Sequence, residues 1–459
     1  MGNLSETRWL KDVVLSKVTW RLVPLLFFLY VVAYVDRINI GFAALQIKSF
    51  LGMGDAGYGF AAGIFFVGYV VFQLPSNLIM ERVGARRWIA VLMMAWGVIS
   101  SCMIFARVPW HLYVLRFLLG SAEAGFFPGI VFYLKGWFPS TNRARTVALF
   151  AAAGPLSAVI AGPLSGSLLR LDQAGLTGWQ WMFLLEGVPA ILLGLGVLSH
   201  LTNTPAEADW LSLEEKTWLR DALADDGEEP RLHPRTAGWS EIFASPQIWL
   251  LVFVYFGLNC AGYGITFWLP SLIRNLSGVG TVTIGLLTAI PYATALVVMI
   301  VAGAHSDKSG EHRWHIASPA LLGAIALFSA ARSSSAAGLV TALSIAVVAE
   351  FSMVGPFWAL CTLVKPRRAA AAIALINSIG NLGGLAGSYA LGALKSATHG
   401  FRFGMIVLGA ALGAAGVLAL LVRIGAKHFR NQEVASTVES WPPLEEPLPI
   451  QRVQDDGSN

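Results

Sequence analysis

The sequence predicts an all-α membrane protein whose twelve transmembrane helices form two pseudo-symmetric bundles of six. Three observations lead to this prediction: charge is scarce, long apolar runs are numerous, and one polar motif occurs in both halves of the chain. Of the 459 residues, 56% are hydrophobic and only 13% are charged. Because an average soluble domain has about 25% charged residues, most of this surface must face something other than water.

Twelve apolar runs are each long enough to cross a hydrocarbon core of about 30 Å as a helix, which takes about 20 residues. The runs of the first half lie near 20–43, 57–80, 88–106, 110–134, 146–169 and 179–201. Those of the second half lie near 247–270, 281–304, 314–332, 336–361, 368–392 and 402–424. We therefore expect an N-terminal segment 1–19, a six-helix bundle 20–201, a central loop 202–246, a second six-helix bundle 247–424 and a tail 425–459.

The two polar segments differ in their expected structure. Within the central loop, Ser212-Leu213-Glu214-Glu215 forms a capping box, which predicts a short surface helix beginning there. The tail has prolines next to acidic residues and few apolar residues, so we expect it to be disordered.

A polar loop motif follows the second run of each half. Glu81-Arg82-Val83-Gly84-Ala85-Arg86-Arg87 in the first half matches Asp307-Lys308-Ser309-Gly310-Glu311-His312-Arg313 in the second. Such a repeat of two halves is typical of carriers that rock about a central site. Glycine permits a tight turn there, and the charges can hold helix ends together in one state. The expected gating residues are Glu81, Arg82, Gly84, Arg86, Arg87, Gly303, Asp307, Lys308, Gly310 and Arg313.

The positions of lysine and arginine predict the orientation in the membrane. Basic clusters follow runs two, four, eight and ten, whereas the alternate loops hold mostly single basic residues. Since cytoplasmic loops carry an excess of these residues, we expect both termini and the central loop in the cytoplasm of a bacterium, with the protein in its inner membrane. The net charge of +5 is explained by these loops, so we expect no nucleic-acid partner.

The sequence shows no signature of a cofactor, a metal or an enzyme. Cys102, Cys260 and Cys361 are isolated in apolar segments, without metal-ligand spacing. No nucleotide-binding loop, HExxH motif or Ser-His or Cys-His pair lies credibly within the apolar runs. We therefore expect no cofactor, no metal and no catalytic residues.

Several motifs resemble known transporter families. The two loops resemble the signature of the major facilitator superfamily, fully in the copy with Gly303, whereas in the first copy Asn77 replaces Gly and Glu81 replaces Asp. Further motifs resemble the anion:cation symporter family, above all its bacterial tartrate, phthalate, hydroxyphenylacetate and sugar-acid transporters. They span Tyr34–Gly41, Gln73–Asn77, Arg116–Gly125, Phe267–Pro270, Gly355–Leu360 and Asn377–Gly384. The resemblance implies the major facilitator fold and proton-driven uptake of organic anions.

Charged residues within the apolar runs point to the same function. A charge inside a membrane is costly and requires a partner or a cavity. Arginine offers a planar fork to a carboxylate, so we expect Arg37, with Tyr34 on the same helix face, to bind the substrate carboxylate. Buried acids can take up and release protons, so we expect Asp36 and Glu123 to carry protons, with Arg116 modulating Glu123. The alternative is a static network of Asp36–Arg37 and Arg116–Glu123 pairs that holds the helices together.

Four further residues are candidates for substrate binding. Tyr69 either bonds the substrate or packs. Trp358 follows Gly355-Pro356, which predicts a break in the tenth helix that opens to a cavity, and the indole either contacts substrate there or packs. Asn377 and Asn381, four residues apart, either bond substrate hydroxyls or join helices.

The predicted function is proton-coupled uptake of a small organic carboxylate by alternating access, in a protein functional as a monomer. The partners are the anion, protons and the bilayer. Exchange is an alternative, because Gly154-Pro155 and Gly162-Pro163 in the fifth run resemble a kink motif common in exchangers. A membrane sensor without transport and a membrane-embedded enzyme are the remaining alternatives. Glu186 and Glu350 are acids with apolar flanks and no evident partner.

Overall fold

A computed structural model of the chain describes residues 2–225, 243–362 and 369–423. The predicted tail and residues 226–242 of the predicted central loop lie outside the described residues. The described residues form helices and contain no β-strand, apart from one isolated bridge between Gln173 and Leu176.

The helices of the first half are α1 (Gly2–Ile38), α2 (Ile40–Phe50), α3 (Asp55–Val83), α4 (Ala85–Cys102), α5 (Pro109–Glu123), α6 (Phe126–Lys135), α7 (Ser140–Ala151), α8 (Ala153–Leu168) and α9 (Gly178–His200). The helices that follow are α10 (Leu213–Asp225), α11 (Pro246–Ser277), α12 (Thr281–Ser309), α13 (Arg313–Ala330), α14 (Ala336–Thr362), α15 (Ala369–Thr398) and α16 (Arg402–Leu421). Short 3-10 turns lie at Met103–Phe105 and Pro205–Glu207.

These helices make the twelve predicted crossings. Within the described residues, ten helical segments are long and apolar enough to cross a membrane. The helices α13 and α15, of 18 and 30 residues, occupy the ninth and eleventh positions and complete the set. The prediction of an all-α membrane fold with twelve transmembrane helices is confirmed. Where the halves begin and end remains a prediction.

Three crossings are each divided into two helices: α1 with α2, α5 with α6, and α7 with α8. A proline explains two of these interruptions, because its ring collides with the carbonyl of the residue four positions earlier. Pro128 lies four residues after Ala124, where α5 has ended, and Pro155 lies four residues after Ala151, the last residue of α7. The interruption of the first crossing lies at Asn39, next to the charged residues of the candidate site.

The two halves contact each other at the end of the molecule that carries the connections 51–54, 278–280 and 399–401. The Tyr58 hydroxyl donates to the Phe267 carbonyl at 2.7 Å, and Arg274 Nη1 donates to the Leu45 carbonyl at 3.3 Å. Near them, α8 and α12 approach closely at Gly162 and Gly285, where a Cβ atom on either glycine would overlap the backbone of the other. The N-terminus of α1 lies at the opposite end of the first crossing.

The predicted capping box is confirmed. The backbone N–H of Ser212 donates to Glu215 Oε2 at 2.7 Å, and the N–H of Glu215 donates to Ser212 Oγ at 3.2 Å, where α10 begins. Lys17 of α1 forms a salt bridge of 2.9 Å with the same carboxylate. Burial alone would raise the pKa of Glu215, but the Ser212 hydrogen bonds and the Lys17 ammonium outweigh it and lower that pKa below its usual value.

The loop motif has the same backbone feature in both halves. Gly84 lies between α3 and α4 with φ of +89°, and Gly310 follows α12 with φ of +63°. A positive φ is a conformation that glycine adopts without a Cβ penalty. The sequence repeat therefore corresponds to two turns at equivalent places in the halves.

Candidate functional site

The central feature of the first half is a buried ion pair between α1 and α5. Arg37 Nε and Nη2 donate to Glu123 Oε2 at 3.0 Å and 2.7 Å. The two side chains are 8% and 0% exposed, so the pair is shielded from water. Glu123 Oε1 is buried and has no hydrogen-bond partner among the described residues. Arg37 therefore gives two donors to one oxygen and leaves the second oxygen unbonded.

Aromatic side chains surround the Arg37 guanidinium. Its carbon lies 5.7 Å, 5.3 Å and 5.5 Å from the ring centres of Tyr34, Phe65 and Tyr69. The Tyr263 hydroxyl, from α11 of the second half, also faces this guanidinium. Cation–π contacts of this kind stabilise a buried cation, more strongly where water is absent. The structure thus brings Tyr34, Arg37 and Tyr69 together, as a shared role in substrate binding requires.

Asp36 does not pair with its neighbour Arg37. Its side chain is fully buried, and its Oδ1 accepts hydrogen bonds from Ser100 Oγ of α4 and from Asn39 Nδ2, the latter at 3.1 Å. Oδ2 has no partner within the described part of the chain. Successive side chains on a helix project about 100° apart, so Asp36 and Arg37 face different neighbours. The alternative with an Asp36–Arg37 pair does not describe the structure.

Arg116 is fully buried two turns before Glu123 on α5. Its Nη2 donates to the Ala62 carbonyl at 3.3 Å, while Nε and Nη1 have no partner among the described residues. The guanidinium carbon lies 5.0 Å from the Phe65 ring centre, so Phe65 contacts both buried arginines. The ion-pair partner of Glu123 is therefore Arg37 and not Arg116. Whether Arg116 modulates Glu123 remains a prediction.

The predicted break in the tenth helix is wrong. The helix α14 continues through Gly355 and Pro356 to Thr362. A proline removes only one backbone donor, and in a membrane helices retain their other hydrogen bonds because no water replaces them. Trp358 packs against Tyr255 and Phe357, with ring centres 5.1 Å and 5.3 Å away.

Asn377 and Asn381 bond each other on one face of α15. Asn381 Nδ2 donates to the backbone carbonyl and to Oδ1 of Asn377, at 2.7 Å and 3.0 Å. The glycines around them approach α11 closely, since a Cβ atom on Gly383 would overlap the Phe256 carbonyl and one on Gly387 that of Cys260. The structure shows the close helix packing; binding of substrate hydroxyls by these amides remains a prediction.

Most charged residues of the gating loops lie on the surface. The exposed set is Glu81, Arg82, Arg87, Asp307 and Lys308. The backbone N–H of Arg86 donates to Asn203 Oδ1 at 3.0 Å, which joins the first loop to the segment after α9. In the second loop, the N–H groups of Arg313 and Trp314 donate to the Glu311 carboxylate, and Gly303 lies inside α12. Their role in gating remains a prediction.

Sequence reasoning missed several partners of the site. Ser100 and Tyr263 belong to other helices, so no local pattern placed them beside Asp36 and Arg37. Asn39 had a usable signal, because it follows Asp36 by three residues on one helix. Glu186 of α9 is also buried and accepts a hydrogen bond of 2.7 Å from Ser165 of α8.

Comparison with known proteins identifies the family. The family model described as Major Facilitator Superfamily matches residues 26–388. The chain belongs to the major facilitator superfamily. It is 43% identical over 413 residues to a putative tartrate transporter of Agrobacterium vitis, covering 89% of this chain and 91% of that protein. It is also 43% identical over 389 residues to a putative metabolite transport protein, NicT, of Pseudomonas putida, covering 83% and 88%.

Solved structures show the same fold. A bacterial homologue of the human lysosomal transporter Spinster, in an inward-facing and occupied conformation, matches with a TM-score of 0.71 at 18% identity, covering 88% of this chain and 97% of that one. This major facilitator protein is therefore a multi-pass membrane transporter of a small molecule and not an enzyme. Among its described residues, no three His, Cys, Asp or Glu side chains lie together as metal ligands do.

Proposed function

We propose that this transporter moves a small organic carboxylate together with protons by alternating access. The Arg37–Glu123 pair carries the proposal, because it holds a carboxylate on a forked cation inside a buried aromatic site. A substrate carboxylate has the same charge and shape as the Glu123 side chain. It can therefore replace Glu123 on Arg37 once Glu123 has taken up a proton.

The exchange of carboxylates couples substrate and proton. With Glu123 ionised, Arg37 is occupied and an incoming anion is repelled. With Glu123 protonated, Arg37 is free to donate both Nη2 and Nε to the substrate, and the proton stays on the Glu123 side chain. The rings of Tyr34 and Tyr69 lie beside the guanidinium, so both side chains can contact a substrate bound there.

Asp36 provides a second proton site. Its hydrogen-bond partners among the described residues, Ser100 and Asn39, are neutral, so no cation bonds directly to its ionised form. A buried charge that lacks a counter-ion is costly, and a proton removes that cost. Since Asn39 lies where α1 ends, a change in the charge of Asp36 acts directly on the interruption of the first crossing.

The organic acid is proposed from the relatives and the orientation from the loops. Tartrate is the first substrate to examine, because the relative from Agrobacterium vitis is named a putative tartrate transporter. The basic clusters support a cytoplasmic location of both termini, and the bacterial relatives favour the inner membrane. Trp358, Asn377 and Asn381 in the second half are proposed to contribute to substrate choice.

Transport by purified protein in proteoliposomes tests this function. Radiolabelled tartrate, phthalate, hydroxyphenylacetate and a sugar acid are offered with an inward proton gradient, with a collapsed gradient, and to protein-free vesicles. Accumulation of at least one acid that requires the gradient is the expected result. Failure of every acid to enter above the protein-free level would overturn the proposed substrate class.

The second candidate function is exchange of one organic anion for another. It is favoured by the division of the fifth crossing at Ala152 and Pro155. Empty vesicles with an inward proton gradient, compared with preloaded vesicles without a gradient, distinguish the two functions. A symporter accumulates label from the gradient alone, whereas an obligate exchanger accumulates it only into preloaded vesicles.

A further inference from the structure

A buried acid of the second half, Glu350, takes no part in the function proposed above. Glu350 belongs to α14, and its carboxyl lies directly against Gly262 of α11. A Cβ atom at position 262 would overlap the carboxyl oxygens, so the side chain occupies space that only glycine leaves. The packing of two helices therefore sets the position of this carboxyl.

Glu350 differs from the other buried acids because no polar group of the described chain bonds it. Glu123 has Arg37, Asp36 has Ser100 and Asn39, and Glu186 has Ser165. In contrast, neither oxygen of Glu350 accepts a hydrogen bond from the described residues, and Oε2 is buried. Because a buried acceptor without a donor is costly, a donor supplied by a ligand would be bound favourably.

Three tyrosines on different helices lie within electrostatic reach of this carboxyl: Tyr34 of α1, Tyr263 of α11 and Tyr292 of α12. The Tyr292 hydroxyl donates to Thr266 Oγ1 at 3.0 Å, so it is committed elsewhere. The Tyr263 hydroxyl faces Arg37 as well. Tyr263 thus interacts electrostatically with both a cation of the first half and an acid of the second.

We propose that Glu350 is the second polar end of the substrate site and binds a hydrogen-bond donor of the transported acid. Arg37 takes one carboxylate, and Glu350 accepts from a hydroxyl or a protonated nitrogen elsewhere on the same molecule. The substrate class is then a carboxylic acid that carries such a donor, as hydroxy acids do. This inference rests on the proposed function and names the feature that selects among organic acids.

The arrangement also accounts for discrimination between similar acids. A site that bonds a substrate hydroxyl rejects the analogue without it, because the buried acceptor is then left without a donor. Tartrate and succinate form a matched pair, since they share both carboxylates and differ only in the hydroxyl groups. The contribution of the carboxylates therefore cancels when the affinities of the two acids are compared.

Competition during counterflow in proteoliposomes tests the inference. Unlabelled tartrate and succinate compete with the labelled acid found by the transport panel; where that panel selects another hydroxy acid, it is compared with its own deoxy analogue. The wild type is expected to prefer the hydroxy acid. Glu350→Ala is expected to reduce the preference roughly two- to tenfold, the worth of a hydrogen bond between uncharged groups.

Two further variants separate a specific role from general damage. Gly262→Ala forces the Glu350 carboxyl to move and is expected to reduce the same preference, although it removes no polar group. Glu207→Gln changes an acid of the 3-10 turn after α9, outside the crossings, and is expected to leave the preference for the hydroxy acid unaltered.

If Glu350→Ala and Gly262→Ala both kept the wild-type preference for the hydroxy acid over its deoxy analogue, the inference would be overturned. Transport of the acid would still support the proposed function. A wild type that prefers the deoxy analogue would overturn the inference too. Loss of proton-driven accumulation in Glu350→Gln with the preference intact would also overturn it, because Glu350 would then act on protons and not on the substrate.

Discussion

Arg37 directs both Nε and Nη2 to the same oxygen of Glu123, and the other oxygen of that carboxylate has no partner among the described residues. The strongest form of this pair uses two parallel bonds to two oxygens. A single-oxygen arrangement leaves part of that interaction unused, so another carboxylate can compete for the fork. The geometry is therefore better suited to exchange of partners than to a permanent structural pair.

Replacement of Arg37 by lysine tests the fork. The ammonium group keeps the charge but cannot present two coplanar donors, so substrate binding should weaken. A loss of about 1.5–3 kcal/mol of binding free energy corresponds to a roughly 10- to 100-fold rise in the Kd for the substrate. Scintillation proximity binding with the labelled acid measures this change.

Arg332→Lys is the matched control, because Arg332 is exposed at the end of α13 and the substitution is chemically the same. Its Kd should equal that of the wild type. If Arg37→Lys also bound substrate with wild-type affinity, Arg37 would be only a structural member of an ion pair.

Glu123→Gln tests the competition for Arg37. In the wild type, the ionised Glu123 occupies Arg37, so affinity for the anion should be high at low pH and should fall as pH rises and Glu123 loses its proton. A single linked proton gives a slope of up to about tenfold in Kd per pH unit. The glutamine variant cannot ionise, so its Kd should stay nearly constant over the same pH range.

Binding measured at several pH values, with the wild type and Glu123→Gln in parallel, provides the comparison. Glu207→Gln is a suitable control because this acid lies in the 3-10 turn after α9, outside the crossings. Equal pH slopes for the wild type and Glu123→Gln would remove Glu123 from the coupling of substrate and proton.

The sequence predicted more of the fold than of the site. Apolar runs, loop charges and the capping box are local patterns, and each corresponds to a helix, a turn or a cap in the structure. The Arg37–Glu123 pair joins residues 86 positions apart on two helices, so it depends on helix packing that no local pattern contains. The prediction of a broken tenth helix failed because a proline weakens a helix locally, whereas the membrane favours its continuation.

The charged residues of the site also show how far local sequence patterns can predict it. Their presence within apolar runs was sufficient to identify Asp36, Arg37, Arg116 and Glu123 as candidates. Their pairing was not, because it depends on the direction in which each side chain projects. Glu350 shows this most clearly: its sequence context is merely apolar, and only the contact with Gly262 reveals its position.

Asp36→Asn should abolish concentrative uptake driven by a proton gradient. The amide keeps the size and can still accept hydrogen bonds from Ser100 and Asn39, but it cannot take up a proton. Exchange of labelled for unlabelled acid requires no net proton movement, so counterflow should continue at a rate near that of the wild type. The two assays are made on the same vesicles.

Asp172→Asn provides the comparison, since Asp172 is exposed in the loop between α8 and α9. This variant should keep both gradient-driven accumulation and counterflow. Normal gradient-driven accumulation by Asp36→Asn would exclude Asp36 as a proton carrier. Loss of counterflow together with accumulation would indicate a structural role for Asp36 instead.

Asp55→Asn should weaken the contact between the halves at the end that carries the connection 51–54. Asp55 Oδ1 accepts from Lys48 at 2.6 Å in the first half and from Lys395 at 3.1 Å in the second. The asparagine cannot form either ion pair, but only the Asp55–Lys395 pair joins the halves. A partly exposed pair contributes about 0.2–1 kcal/mol, so the fraction of molecules open at this end should rise roughly 1.4- to fivefold. Spin labels on Ser49→Cys and Thr398→Cys, both exposed near this end, report the separation of the halves by pulsed electron resonance.

The matched control is Asp221→Asn, because Asp221 pairs only with its exposed neighbour Arg220 on α10 among the described residues. That variant should leave the distance distribution of the two labels unaltered. Asp55→Asn should add a longer component and, since the closed state must re-form in each cycle, should slow counterflow at the same time. A distribution identical to that of the wild type would mean that the Tyr58–Phe267 bond and the close approach of Gly162 and Gly285 hold this end closed without help from Asp55.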